Sequence, residues 1–217
     1  MYQSGCFSGD DRSQSADIGT QMHRKSRQPV ALGLYDESAF AGDHLAYFYE
    51  TDEEFAAAFG FVDEGLRGGD HVVLFGLDDD TNRMVQVLIN RGWDVPRLLV
   101  ANRLSVLRPE PTCNATVTAV SRHFSEVLAD GASFIRFIGN AAVGREGWPP
   151  EDEFYKLEAT VSAATLSLPC VAICMFDLRS QPARTIVKAA FEGHPLTIHG
   201  NCIRENPFYV PRSGEHP

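Results

Sequence analysis

Five cysteines and seven histidines are the residues of this chain best suited to nucleophilic or metal chemistry. Cys6, Cys113, Cys170, Cys174 and Cys202 are odd in number, widely spread, and contain no C-x-x-C pair. That pattern argues against a disulfide framework and against a four-ligand structural zinc site. Cys170 and Cys174 share a strand face, but a rise of about 3.3 Å per residue holds them too far apart for a disulfide. Cys174 sits inside the apolar run Cys170–Phe176, where a small core residue is the plain reading and a nucleophile the sharper one. No G-x-S-x-G elbow offers a serine instead. His44, His71, His194 and His199 fall at expected strand ends or turns, with neither H-x-H nor H-x-x-x-H spacing. Histidines that simply hydrogen-bond are therefore expected, with no metal and no cofactor. A site from His44, Cys174 and His194 would exist only if the fold gathered them.

Phosphate chemistry is disfavoured for a different reason. The first strand-to-helix junction reads Tyr49-Glu50-Thr51-Asp52-Glu53-Glu54. A nucleotide loop needs glycines for close backbone approach, a lysine for charge and a hydroxyl for magnesium. This junction offers clustered carboxylates, which repel a triphosphate. The turns at Gly68-Gly69 and Gly139–Gly144 match no dinucleotide fingerprint.

The elements that must position these residues alternate regularly. His44–Glu50 is a compact apolar strand, and Thr51-x-x-Glu54 is a capping box. Phe55, Ala58, Phe59, Val62 and Leu66 then follow at helical spacing up to the Gly68-Gly69 stop. His71–Phe75, Leu104–Leu107, Phe134–Ile138, Cys170–Phe176 and Leu196–His199 read as further strands. Between them lie helices over Asp80–Asn90 (Met84, Val85, Leu88 and Ile89 inward), Asn114–Leu128, Glu151–Leu166 and Pro182–Phe191. Trp93 and Trp148 read as edge packing, Trp148 equally as the mouth of a pocket. Helices separating strands imply right-handed crossovers and a three-layer α/β/α fold with a mainly parallel central sheet.

Residues 1–40 are rich in Ser, Gln, Asp and Gly and read as a flexible arm, with Val30–Tyr35 apolar enough to dock as a strand or interface segment. Residues 41–211 form the expected folded domain and 212–217 a flexible tail. The formal charge is −10, from 19 basic and 29 acidic residues among 217, which disfavours direct binding to nucleic acid. Apolar residues make up 44% of the chain, yet no run approaches the roughly 20 apolar residues of a membrane span. The first residues lack the basic start and apolar stretch of a signal peptide, so the cytoplasm is the expected location.

The order of motifs carries a resemblance. Gly42-Asp43-His44-Leu45-Ala46-Tyr47-Phe48-Tyr49-Glu50 is followed by a Glu-rich helix start and by Gly65-Leu66-x-x-Gly69-Asp70-His71-Val72-Val73. Then come Cys174-Met175-Phe176-Asp177, His194-Pro195-Leu196 and Asn206-Pro207-Phe208-Tyr209. Over about Gly42 to Pro211 this resembles the MEDS domain, a bacterial sensory module named for methanogens, methylotrophs and the dichloromethane-responsive repressor. The resemblance implies a RecA/KaiC-like fold without its Walker A loop, and sensing of simple hydrocarbon derivatives. It implies a Gly-Glu ending of the fourth strand, where this chain has Gly139-Asn140.

The positions that match these motifs and bear on a ligand site are His44, Tyr47, Tyr49, Glu50, Cys174, Asp177, His194, Asn206 and Tyr209. The expectation is one crevice at the carboxyl ends of the strands, lined by His44, Tyr47, Cys174, Asp177 and His194, that orients a small organic molecule. Neither a helix-turn-helix nor a kinase pattern accompanies the domain. Signalling is then expected to pass through a protein partner (a kinase, an anti-sigma-type protein or a transcription regulator) or through a homodimer. A ligand-free interaction module is the second reading, and a cysteine- or metal-dependent hydrolase the third.

Overall fold

The computed structural model describes residues 27–34, 38–199 and 202–209. The first strands, β1 (Pro29–Ala31) and β2 (Ser38–Phe40), pair antiparallel as a small separate ladder. Val30, Leu32 and Ala39 are buried there against the main core. The apolar segment expected at Val30–Tyr35 thus contributes a short strand; Tyr35, residues 1–26 and residues 212–217 lie outside the described residues.

The main sheet has seven strands. In chain order they are β3 (His44–Tyr49), β4 (His71–Phe75), β5 (Leu104–Leu107), β6 (Ile135–Asn140), β7 (Cys170–Asp177), β8 (Leu196–His199) and β9 (Cys202–Glu205). Across the sheet the order is β5-β4-β6-β7-β3-β8-β9, parallel throughout except for the hairpin of β8 with β9. Helices cover both faces: α1 (Asp52–Ala57), α2 (Gly60–Gly68), α3 (Asp78–Asn90), α4 (Val95–Val100), α5 (Cys113–Ala129), α6 (Glu151–Thr165) and α7 (Ala183–Lys188). The expected three-layer α/β/α architecture is what the chain forms.

Strand alternation divides the core in two. Leu45, Tyr47 and Tyr49 of β3 join Ile173 and Met175 of β7 on one face. Ala46 and Phe48 join Ala172, Cys174 and Phe176 on the other, beneath α5 and α6. The register sets Ala46 opposite Cys174 and His44 opposite Ala172.

The structure departs locally from the sequence expectation in four places. The helix expected from Phe55 to Leu66 breaks at Ala58-Phe59, although all of its inward residues stay buried. At the break Gly60 meets Gly33, where an added Cβ would lie 2.0 Å from the Gly33 carbonyl oxygen. Ile89 is 47% exposed rather than inward, while Met84 and Leu88 carry the buried stripe of α3. Helix α4 was hidden in a segment with one turn of periodicity, started by an Asp94 cap and Pro96. The expected last helix widens after Lys188 into one π-helical turn, Ala189–Gly193.

Candidate functional site

Four chemically capable side chains converge in the layer between the sheet and α6: His44, Glu158, Cys174 and His194. One potential ligand atom from each lies within 4.8 Å of every other, and all four residues are buried. Their positions follow from local structure. Gly42 turns with φ 91°, and the Asp43 carboxylate accepts from the Phe40 N–H and the Arg27 guanidinium. This pins the start of β3 and aims His44 under α6. Cys174 lies mid-strand on β7, next to His44 on the same face. Glu158 occupies the buried stripe of α6 formed by Phe154, Glu158, Ser162 and Thr165. His194 follows the π turn in extended conformation, φ −129° and ψ 129°, as a residue before proline must.

The hydrogen bonds fix the tautomers. Ser162 Oγ donates to the Gly193 carbonyl at 3.2 Å, so it accepts from His44 Nδ1–H at 2.9 Å. The lone pair of His44 Nε2 then faces Cys174 Sγ at 3.2 Å and Glu158 Oε2 at 3.4 Å. His194 Nδ1–H donates to the Ala189 carbonyl at 3.0 Å, which leaves its Nε2 lone pair 3.0 Å from Glu158 Oε2. Both Glu158 Oε2 and His194 Nε2 are enclosed without a hydrogen bond. The two imidazoles stack at 4.2 Å between centroids, and Phe176 meets His194 edge-on at 5.6 Å. Burial, and then the neighbouring His194, hold the His44 imidazole well below its usual range. Burial, reinforced by Glu158, pushes the Cys174 thiol well up, which opposes a nucleophilic thiolate.

An apolar cavity of about 70 Å³ adjoins this group between α5, α6 and the sheet. Phe75, Phe137, Trp148 and Val161 line it, and Cys174 and Glu158 form part of its wall. Trp148, read from the sequence as edge packing or a pocket mouth, belongs to this wall.

The crevice expected at the carboxyl ends of the strands is organised differently. His44, Cys174 and His194 do come together, but away from that edge and on the α5/α6 side. Tyr47 points to the opposite face, where its hydroxyl donates to the Glu54 carbonyl at 2.8 Å. Asp177 ends β7 and is held low by its hydrogen bond with Arg179. Tyr49 donates to Asn140 Oδ1 at 3.0 Å, and Asn140 Nδ2 donates to Asp80 at 3.0 Å. Burial, then Asp177, push the Tyr49 phenol up to about 12. Glu50 is exposed, and its backbone N–H donates to Glu54 Oε2, the same oxygen that closes the expected capping box by accepting from the Thr51 N–H. Asn206 reaches the group indirectly, donating from Nδ2 to the His194 carbonyl at 2.9 Å; Tyr209 follows half-buried, its N–H bonded to the Asn206 carbonyl.

Glu158 is the member that sequence reading missed. Its signal was a lone carboxylate at the i, i+4 position between Phe154 and Ser162 on an otherwise inward stripe.

Among curated proteins none is significantly similar to this chain. The family model described as MEDS, the MEthanogen/methylotroph, DcmR Sensory domain, matches residues 43–195, a span that runs from the residue before His44 to the residue after His194. By that match over most of its length, the chain belongs to the MEDS family of sensory domains.

Proposed function

We propose that this domain is a non-catalytic sensor that takes a small organic molecule into the cavity beneath α5 and α6 and signals through a protein partner. The observation that carries this reading is the cavity itself: largely apolar walls with a few polar side chains, Thr116, Ser121, Thr160 and Thr165 beside Cys174 and Glu158. Ligand sites are concave, largely apolar and furnished with a small number of placed polar groups. On the measure by which one water needs about 10–15 Å³, its volume of about 70 Å³ has room for a small molecule of roughly five waters' size. That size agrees with simple hydrocarbon derivatives. The raised Cys174 thiol supports binding over covalent catalysis. Glu54 closes the capping box of α1 and Asp52 pairs with Arg83 and Arg179, so the first junction is unsuited to phosphate, which supports a fold without a phosphate loop.

Thermal unfolding with dichloromethane, ethanol and ethanethiol tests the reading. A ligand that contributes about 1 kcal/mol should raise Tm by roughly 2–4 °C in a domain of this size. Val161→Phe, which fills the cavity, should abolish the shift while the protein stays folded. An unchanged Tm with every compound, or an equal shift in Val161→Phe, would favour a ligand-free interaction module instead.

A further inference from the structure

We propose that His44, Glu158, Cys174 and His194 together form a binding site for one divalent transition-metal ion of the zinc class. The sheet, α6 and the residue after the π turn each supply donors, and one ligand atom from each lies within 4.8 Å of all the others. Three of the six separations, 3.2 Å (His44 to Cys174), 3.4 Å (His44 to Glu158) and 3.0 Å (His194 to Glu158), are close to the edges of a tetrahedron, and the others stay within 4.8 Å. Metal–ligand bonds of about 2.0–2.3 Å require edges of about 3.3–3.7 Å, so small side-chain movements complete the geometry.

Three further features point to a cation. Each histidine spends its Nδ1–H on an outer partner, Ser162 Oγ or the Ala189 carbonyl, leaving Nε2 free to coordinate. This is the outer-shell arrangement that fixes ligand orientation in metal sites. Glu158 Oε2 and His194 Nε2 face each other across 3.0 Å as two acceptors, each enclosed and without a hydrogen bond. A proton or a metal ion must lie between such groups for the pair to be stable when buried. Charge also balances: a carboxylate, a thiolate and two neutral imidazoles neutralise a divalent ion. Among the described residues no lysine or arginine forms an ion pair with Glu158; its neighbours are the two histidines and the Cys174 thiol.

The donor set selects the ion. A thiolate and two imidazoles disfavour magnesium and calcium, which prefer all-oxygen shells, and suit zinc or cobalt. Binding forms a metal–sulfur bond and breaks the Cys174 S–H bond, releasing that proton to solvent. Because Cys174 and Glu158 also border the cavity, the ion would lie at its inner end.

The test is titration of the full chain, stripped with chelator, with cobalt(II) and then zinc(II). The expected result is saturation at one ion per chain, with tetrahedral visible bands and a sulfur-to-cobalt band in the near ultraviolet. Zinc should displace both and raise Tm. Cys174→Ser should lose the sulfur band, and Ser162→Ala should keep it while weakening affinity about 10-fold, because only an outer partner is removed. Circular dichroism reports whether each variant folds; if Cys174→Ser does not, the sulfur band and zinc-dependent Tm of the wild-type chain decide alone. Absence of that band and of any zinc-dependent Tm in wild type would overturn the site and leave a proton-sharing network. The readout uses no organic ligand, so failure of the sensing reading and failure of the metal site are separate results.

Discussion

His194 Nε2 and Glu158 Oε2 lie 3.0 Å apart in the interior, and neither has a hydrogen bond. Two enclosed acceptors at that distance repel unless something positive joins them. The first prediction follows from this contact. In metal-free protein, Glu158→Gln supplies an N–H donor to His194 and should cost no more than about 1 kcal/mol, since removing buried charge is often neutral. In zinc-loaded protein the same change should remove most of the stabilisation that the ion provides. Urea unfolding with chelator and with zinc measures both; a loss of about 3–5 kcal/mol in each condition would instead mark a charged pair.

Thiol reactivity gives the second prediction. Burial lifts Cys170 to about 12, pushes Cys174 well up, and also raises Cys113. Cys202 is half-buried on the outermost strand. Alkylation of the native chain, followed by peptide mass spectrometry, should therefore modify Cys202 before Cys113, Cys170 and Cys174. Fast labelling of Cys174 would revive the hydrolase reading, because a catalytic thiol needs a depressed pKa.

Arg136 gives the third. The residue is 5% exposed, and its guanidinium donates to Asp70 Oδ2 and the Ala31 carbonyl, each at 2.7 Å, and to the Phe61 carbonyl at 3.1 Å. It thus ties β6 to β1 and α2. Gly65 leaves room for it, since an added Cβ there would lie 2.3 Å from Arg136 Cδ. Arg136→Met should cost about 3–5 kcal/mol, as breaking a buried charge pair does. Gly65→Ala should destabilise through the same contact. Equilibrium unfolding of the two variants and their combination checks this; additive losses would show that Gly65 and Arg136 do not share the site.

Much of this arrangement was legible in the residues. The alternation from His44 onward gave strand and helix order, and with it the parallel sheet. Motif order pointed to His44, Cys174 and His194, and strand alternation explains why His44 and Cys174 meet. The depth of the site was not legible. A carboxyl-end crevice is the ordinary expectation for a parallel sheet, but here Tyr49, Asn140, Asp80 and Arg145 join in a hydrogen-bonded network at that edge. Periodicity also could not separate the polar role of Glu158 from the apolar role of Phe154 on one helical stripe. The pairing of β9 with β8 was hidden because residues Cys202–Glu205 are too few and too mixed to show a strand period.

The fourth prediction concerns acid. His71 donates from Nδ1 to the Asn102 carbonyl and accepts at Nε2 from Ser105 Oγ, both at 2.9 Å, which favours the neutral ring. Burial holds its pKa below the usual value, with the nearby His123 contributing; His123 is itself lowered by burial. A histidine depressed in the folded state protonates first in the unfolded chain. The unfolded state therefore binds more protons once pH falls below about 6.5, and stability drops from there towards the folded pKa. Each such group contributes a slope of up to about 1.4 kcal/mol per pH unit. His71→Gln keeps a donor and an acceptor but cannot titrate, so its stability should fall less steeply between pH 7 and pH 5. Parallel curves for wild type and His71→Gln would show that the acid sensitivity arises elsewhere, with His44, depressed by deeper burial, the next residue to replace.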